Sequence, residues 1–152
     1  MKDIMEKIGE LIKLVQYIEY NLVEATRLRR ILLVFDKVNR VSDSVFHKAK
    51  KEADELGLQL ANKTMGQIIT TVKKYNVIDN DKVDILEDVL RKRNDLIHHY
   101  FKRKDFEKHS DNYPFLDNER GYLNNFYIQS DDLNDYLCNI IDELQEEYNG
   151  IE

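Results

Sequence analysis

From Ile4 onward, apolar residues recur at alternating spacings of four and three: Ile4, Ile8, Leu11, Val15, Ile18, Leu22 and Ala25. That rhythm keeps every one of these side chains on a single stripe of a helix, whereas a strand changes face at each residue. The stripe predicts a first helix from about residue 3 to the mid-thirties, prolonged by Leu28, Leu32 and Phe35. Little in the remaining sequence obliges the backbone to turn, because 152 residues hold only five glycines and one proline. Long helices follow from that scarcity.

Arg40-Val41-Ser42-Asp43-Ser44 reads as a break, with Ser42 and Ser44 each able to cap what comes next. A second helical region is expected over residues 44–75, interrupted at Gly57 or at Asn62-Lys63-Thr64. Its last part carries Met65, Ile68, Ile69 and Val72 at helical spacing. A third helix starts at Asn80 or Asp81 and runs to about Lys102. Residues 104–129 hold Pro114, Gly121 and the aromatics Phe106, Tyr113, Phe115, Tyr122, Phe126 and Tyr127, and are expected to form a long connection. Ser130-Asp131-Asp132 suits the start of a last helix, since acids favour the positive end of the helix dipole. Leu133, Leu137, Ile140, Leu144 and Tyr148 give its seam, and Asn149-Gly150 its end. The expected fold is all-α: an antiparallel bundle of four to five helices, in one domain over residues 1–152.

Several function classes drop out. No apolar run approaches the roughly 20 residues that span a bilayer, so no membrane partner is expected. The start, Met1-Lys2-Asp3-Ile4-Met5-Glu6-Lys7, does not resemble a signal peptide. Cys138 is the single cysteine, which fits a reducing, cytoplasmic setting, and its flank position in the last seam suggests a small core residue. There is no Gly-Lys-Ser/Thr phosphate loop, no His-Glu-x-x-His and no Gly-x-Ser-x-Gly elbow. His47, His98, His99 and His109 lack ligand spacing, so neither a metal nor a cofactor is expected.

The net charge of −6 argues mildly against a partner bound through its phosphates alone. The charge is uneven, however. Between Arg91 and Lys108 lie seven bases against three acids, while Asp131 to Glu152 contains no Lys or Arg. Winding the third helix at about 100° per residue, with Leu86 as reference, brings Val83, Val89, Leu90, Leu96, Ile97, Tyr100 and Phe101 within about 80° of it. Arg93 falls about 20° from the same reference, inside the apolar face. A guanidinium cannot shed its proton, so it needs a partner there, a route to the rim, or a face that lines a cleft or an interface. Asn94 sits on the rim, with His98 one turn further along beside it.

Each of these residues has an ordinary explanation alone: a snorkelling arginine, a solvated histidine, a tyrosine that fills volume. Together they form a chemical set. Arg93 offers a fork of donors for a phosphate. His98 carries an imidazole, which can move a proton on a phosphate ester. That is enough to cleave RNA through its own 2′-hydroxyl without a metal.

Arg93-Asn94-Asp95-Leu96-Ile97-His98-His99-Tyr100 resembles the R-x4-H signature of the HEPN superfamily, and with Tyr100 the longer R-x4-H-x-Y form of the HepT-type toxins. The specific match spans about eight residues, and the helical layout is compatible over most of the rest. The resemblance implies a HEPN-like bundle that pairs as a homodimer, bringing two motifs together. It implies a metal-independent endoribonuclease, the toxin of a toxin–antitoxin or phage-defence system. Arg93 would orient the phosphate, His98 would act as general acid or base, and Asn94 would help position. Tyr100 would be the residue to which a nucleotidyltransferase antitoxin attaches AMP. In the basic run Lys102-Arg103-Lys104, Lys102 and Arg103 are candidate phosphate contacts, although a solvated helix end is the safer reading. The alternative implied by inactive relatives is a non-catalytic helical module that binds a nucleotide or a protein partner. A plain structural bundle is a third.

Overall fold

A computed structural model describes residues 1–36 and 40–151. Among them are six α-helices and no strand: α1 (Lys2–Leu32), α2 (Asp43–Ala61), α3 (Met65–Lys74), α4 (Asn80–His98), α5 (Tyr100–Lys104) and α6 (Tyr113–Ile151). The expected all-helical bundle is what forms. A 3-10 turn, Leu33–Phe35, closes α1. No helix among the described residues is long and apolar enough to cross a membrane.

The seam read in α1 is the seam that is buried: Ile4, Ile8, Leu11, Val15, Ile18, Leu22 and Ala25 all face the core, followed by Leu28, Ile31 and Leu32. Ser42, not Ser44, caps α2, its hydroxyl accepting the Val45 N–H at 3.3 Å. Gly57 does not break the second region. It lies inside α2, where a Cβ would meet the Arg27 side chain at 3.4 Å. The interruption is at Asn62-Lys63-Thr64, where Thr64 and Gln67 form a reciprocal capping box. Asn76 then takes a left-handed conformation, φ 50°, and the Val77 N–H reaches back to the Val72 carbonyl at 3.2 Å. Helix α4 begins at Asn80 as expected, and Asp79 is its N-cap residue. Its carboxylate accepts the Tyr136 hydroxyl at 3.3 Å.

The largest departure concerns residues 104–129. The connection covers only residues 105–112, and α6 is already under way at Tyr113. Pro114 stands in the first turn, where its missing N–H costs no helical bond. Asn112 accepts the Phe115 N–H at 3.1 Å and so caps that turn. Leu116, Leu123, Phe126, Ser130, Leu133, Leu137 and Leu144 make one continuous buried seam. Ser130 is therefore a mid-helix core position rather than a start. Asn149-Gly150 does not end the helix, which continues to Ile151. Cys138 is exposed and not a core residue, its sulfur 3.7 Å from the Asn21 amide nitrogen.

Helices α1 and α6 run side by side in the same direction: Arg120 meets Asp3, Tyr127 lies under Lys7, and Asn134 meets Asn21. The α1–α2 and α4–α6 pairs are antiparallel. Arg27 and Arg30 of α1 reach back to Asp54 and Glu52 of α2. Asp88 and Lys92 of α4 and then Tyr100 of α5 meet Gln129, Phe126 and Glu119 of α6 in reverse order. The α1–α6 pair is thus the spine, and α4 lies across it with its last two turns near the start of α6.

Candidate functional site

Helix α4 stops at His98 because His99 leaves helical geometry, at φ −132° and ψ −21°. Its N–H still reaches the Asp95 carbonyl at 2.8 Å, and its own carbonyl accepts the Arg103 N–H at 2.8 Å. The chain therefore resumes as α5 after a single irregular residue, rather than running unbroken to Lys102. Tyr100, the first residue of α5, faces inward as its spacing predicts.

Tyr100 is 1% exposed. Its hydroxyl donates to Glu119 of α6, and the other Glu119 oxygen accepts the Lys104 ammonium at 2.9 Å. Glu119 is itself buried. A buried carboxylate with two donors is tolerable where an unpaired one is not. Burial pushes the Tyr100 phenol far above its ordinary range, with the Glu119 hydrogen bond and charge acting the same way. Its ring lies parallel to that of Tyr122 at 6.1 Å and packs on Phe106 at 5.5 Å. Of the aromatics expected on the long connection, Phe106 and Phe126 are buried and Phe115, Tyr122 and Tyr127 pack against the core, while Tyr113 is exposed. Phe106 meets Phe115 at 5.5 Å, and His109 stacks on Phe115 at 4.5 Å. In this conformation the Tyr100 hydroxyl is closed off from any modifying enzyme.

Arg93 lies on the other side of α4. It is half-buried, 30% exposed at the side chain, and its guanidinium donates to the side-chain amide oxygen (Oδ1) of Asn94 at 3.1 Å. Glu19 of α1 lies 3.8 Å away, and that carboxylate is 28% exposed. Arg93 is therefore neither in a sealed core nor free in solvent; it sits at the edge of the α1–α4 contact. Asn94 and His98 are exposed. His98 makes no side-chain hydrogen bond among the described residues, and its ring neighbours His99 at 6.2 Å. Arg93 and Asn94 are brought together. Arg93 and His98 are not in contact within one chain, as expected for residues five apart on a helix, about 140° around its axis.

Ile97 and Phe101 were expected on the buried face, yet they are 44% and 40% exposed. In the last turns of α4 the core side is set by α6, which covers Val89, Leu96 and Tyr100. The side towards Arg93 is left uncovered. Two large apolar side chains consequently stand at the surface next to Arg93 and His98. Arg103, one of the two candidate phosphate contacts, bonds Asp95 at 2.6 Å. Lys102, the other, is exposed. No group of three or more His, Cys, Asp or Glu that could hold a metal ion occurs among the described residues.

Sequence reasoning missed Glu119 and Glu19, the partners that decide how Tyr100 and Arg93 are held. Glu119 lay in a segment read as a loop, and Glu19 carries no local signal. No family model matches the chain, and no curated protein or solved structure matches it.

Proposed function

We propose that this chain is a HEPN-type, metal-independent endoribonuclease that works as a homodimer, as the toxin of a toxin–antitoxin or phage-defence system. The observation that carries the proposal is the uncovered end of α4. There Arg93 and Asn94 touch, His98 is left without a partner, and Ile97 and Phe101 stand exposed beside them. Exposed apolar side chains flanking a guanidinium and an imidazole suit a face that a second copy covers. Two-fold pairing would set Arg93 of one protomer near His98 of the other, a meeting that one helix cannot make by itself.

In such a cleft, Arg93 exchanges its 3.8 Å contact with Glu19 for the scissile phosphate and stabilises its developing charge. His98 takes the proton of the attacking 2′-hydroxyl or returns one to the leaving oxygen. Asn94 holds the guanidinium in place through its 3.1 Å hydrogen bond. Modification of Tyr100 by a nucleotidyltransferase antitoxin requires α5 to lift, because the hydroxyl is bonded to Glu119 inside the protein.

A second reading, a non-catalytic module that binds a nucleotide or a protein, is favoured by the way Glu19 and Asn94 already engage Arg93 within the chain. One experiment separates the two. Purified protein is incubated with total RNA in excess chelator, beside Arg93→Ala and His98→Ala. The nuclease reading expects cleavage by the native chain alone, with all three proteins equally helical. Cleavage that persists in both variants, or an inert native protein that binds a partner, overturns it.

A further inference from the structure

The basic stretch read in the sequence lines a single cleft. Helical hydrogen bonds from Asp95 to His99 and from His99 to Arg103 carry the chain on past the irregular residue, and Arg91 and Lys92 of α4 line one cleft of about 420 Å³ with Arg103 and Lys104 of α5. Tyr122 of α6 lines the same cleft. Four cations from two helices converge in a protein whose net charge is −6. Three carboxylates stand among them: Asp88 beside Arg91 and Lys92, Asp95 beside Arg103, and Glu119 beside Lys104. The balance stays positive, and the carboxylates aim the cations more than they quench them. Each guanidinium has five N–H donors and uses one or two on its carboxylate. Arg91 and Arg103, 78% and 54% exposed, therefore keep donors for an incoming anion.

Tyr122 completes the cleft. Its ring is fixed against Tyr100, and its hydroxyl makes no hydrogen bond among the described residues, although it is not sealed from solvent. Burial, and then the charge of Asp95, push its phenol above the ordinary value, so the hydroxyl keeps its proton as a donor. A cleft of this size lies within the roughly 300–1,000 Å³ of small-molecule sites and exceeds what an inorganic ion fills.

We propose that the cleft between α4, α5 and α6 binds the phosphate of a nucleotide, with Arg91 and Arg103 on its oxygens, Lys92 and Lys104 supplying charge, and the Tyr122 hydroxyl donating to it. The site uses neither Arg93 nor His98 and does not rest on the ribonuclease reading. A free mononucleotide and a nucleotide within an RNA strand present the same phosphate chemistry, and the test distinguishes them.

Calorimetric titrations at low salt would use AMP, inorganic phosphate, adenosine and a ten-nucleotide RNA carrying 2′-methoxy groups, which cannot be cut through its 2′-oxygen. AMP is expected to bind and adenosine not to. The Arg91→Ala/Arg103→Ala protein should bind AMP at least about tenfold more weakly, as loss of charge-assisted hydrogen bonds implies. Both side chains are largely exposed, so folding should hold, checked by circular dichroism; Arg91→Ala alone gives the same direction if it does not. Binding of the RNA but not AMP, with the same sensitivity, keeps the phosphate site and makes the strand its source. Arg93→Ala and His98→Ala should leave AMP binding unchanged whether or not they abolish cleavage. The proposal is overturned if neither AMP nor RNA binds, if the double variant binds as the native protein does, or if the loss follows Arg93 and His98 instead.

Discussion

From the last turns of α4 through α5, the chain has two sides that carry similar chemistry and treat it in opposite ways. On the side towards α6, Tyr100, Glu119 and Lys104 form a closed set in which each polar group meets another. On the side towards α1, Arg93 has a loose 3.8 Å contact with the partly exposed Glu19, His98 has no hydrogen-bond partner among the described residues, and Ile97 and Phe101 lie open. Desolvated polar groups left unmatched are costly, so a fold must satisfy those it buries. Groups at the surface escape that requirement. The first side therefore has the properties of a structural device, and the second those of a face kept free for something outside the chain.

The sharpest way to break this contrast is at the open side. His98→Ala or Arg93→Ala should lower RNA cleavage by about 10²- to 10⁴-fold, the usual contribution of a positioned acid or base. The melting temperature should scarcely move, because half-buried or exposed residues without tight partners contribute little to stability. A fall in melting temperature as large as that of a core truncation would show the two sides to be alike.

On the closed side the order of effects is reversed. Tyr100→Ala should cost about 3–5 kcal/mol of unfolding free energy, as aromatic truncations in cores do. Tyr100→Phe should cost about 1–3 kcal/mol, since it leaves Glu119 buried with Lys104 as its remaining partner. The raised phenol also fixes a sign. Folding holds the Tyr100 proton more tightly than the unfolded chain does, so its contribution is complete below about pH 10 and is lost as pH rises beyond it. Tyr122 and Tyr136 shift in the same direction. Tyr100→Phe should therefore flatten the alkaline loss of stability without removing it, as urea titrations from pH 8 to 11 would measure. An unchanged slope would mean that the phenol is not held as described.

How much of this was legible depended on whether the deciding partner was local. The α1 seam needed only its own spacing, and it was read correctly. The α6 seam has the same rhythm from Leu116 to Leu144, but Pro114, Gly121 and Ser130-Asp131-Asp132 looked like punctuation. Proline breaks a helix interior and not its first turn, so the type of residue misled where its position would not have. Arg93 was visible because a charge on an apolar stripe is visible. Its true setting was not, because Glu19 comes from another helix and α6 draws the core side away from Ile97 and Phe101. The spacing also put Tyr100 on the apolar face, where it is buried; what could not be read is the irregular residue His99 that separates α4 from α5, for which the sequence offers no cap or breaker.

A smaller effect tests whether the open side is an interface. Ile97→Asp with Phe101→Asp should weaken self-association at least about tenfold, as sedimentation would report, with monomer stability changed by under about 1 kcal/mol, as is usual for exposed positions. If the native chain associates and the double variant associates equally well, the uncovered face is not where copies meet.

The smallest expected effect isolates the rule on which the contrast depends. Ser130 lies on the buried seam of α6, fully enclosed, and its hydroxyl has no hydrogen-bond partner among the described residues. Unlike Glu119, it is an interior polar group that the fold has not matched. Removing both the hydroxyl and its unmet need should therefore be neutral or stabilising. Ser130→Ala is expected to change unfolding free energy by no more than about 1 kcal/mol, and in the favourable direction, since alanine also suits a helix interior better than serine. Urea unfolding at constant m-value measures it. A clear destabilisation would mean that the hydroxyl is bonded after all, within the helix or through a trapped water, and that the interior of this bundle is satisfied throughout. The polar groups left unmatched would then lie only at the surface, and the open end of α4 would stand out further.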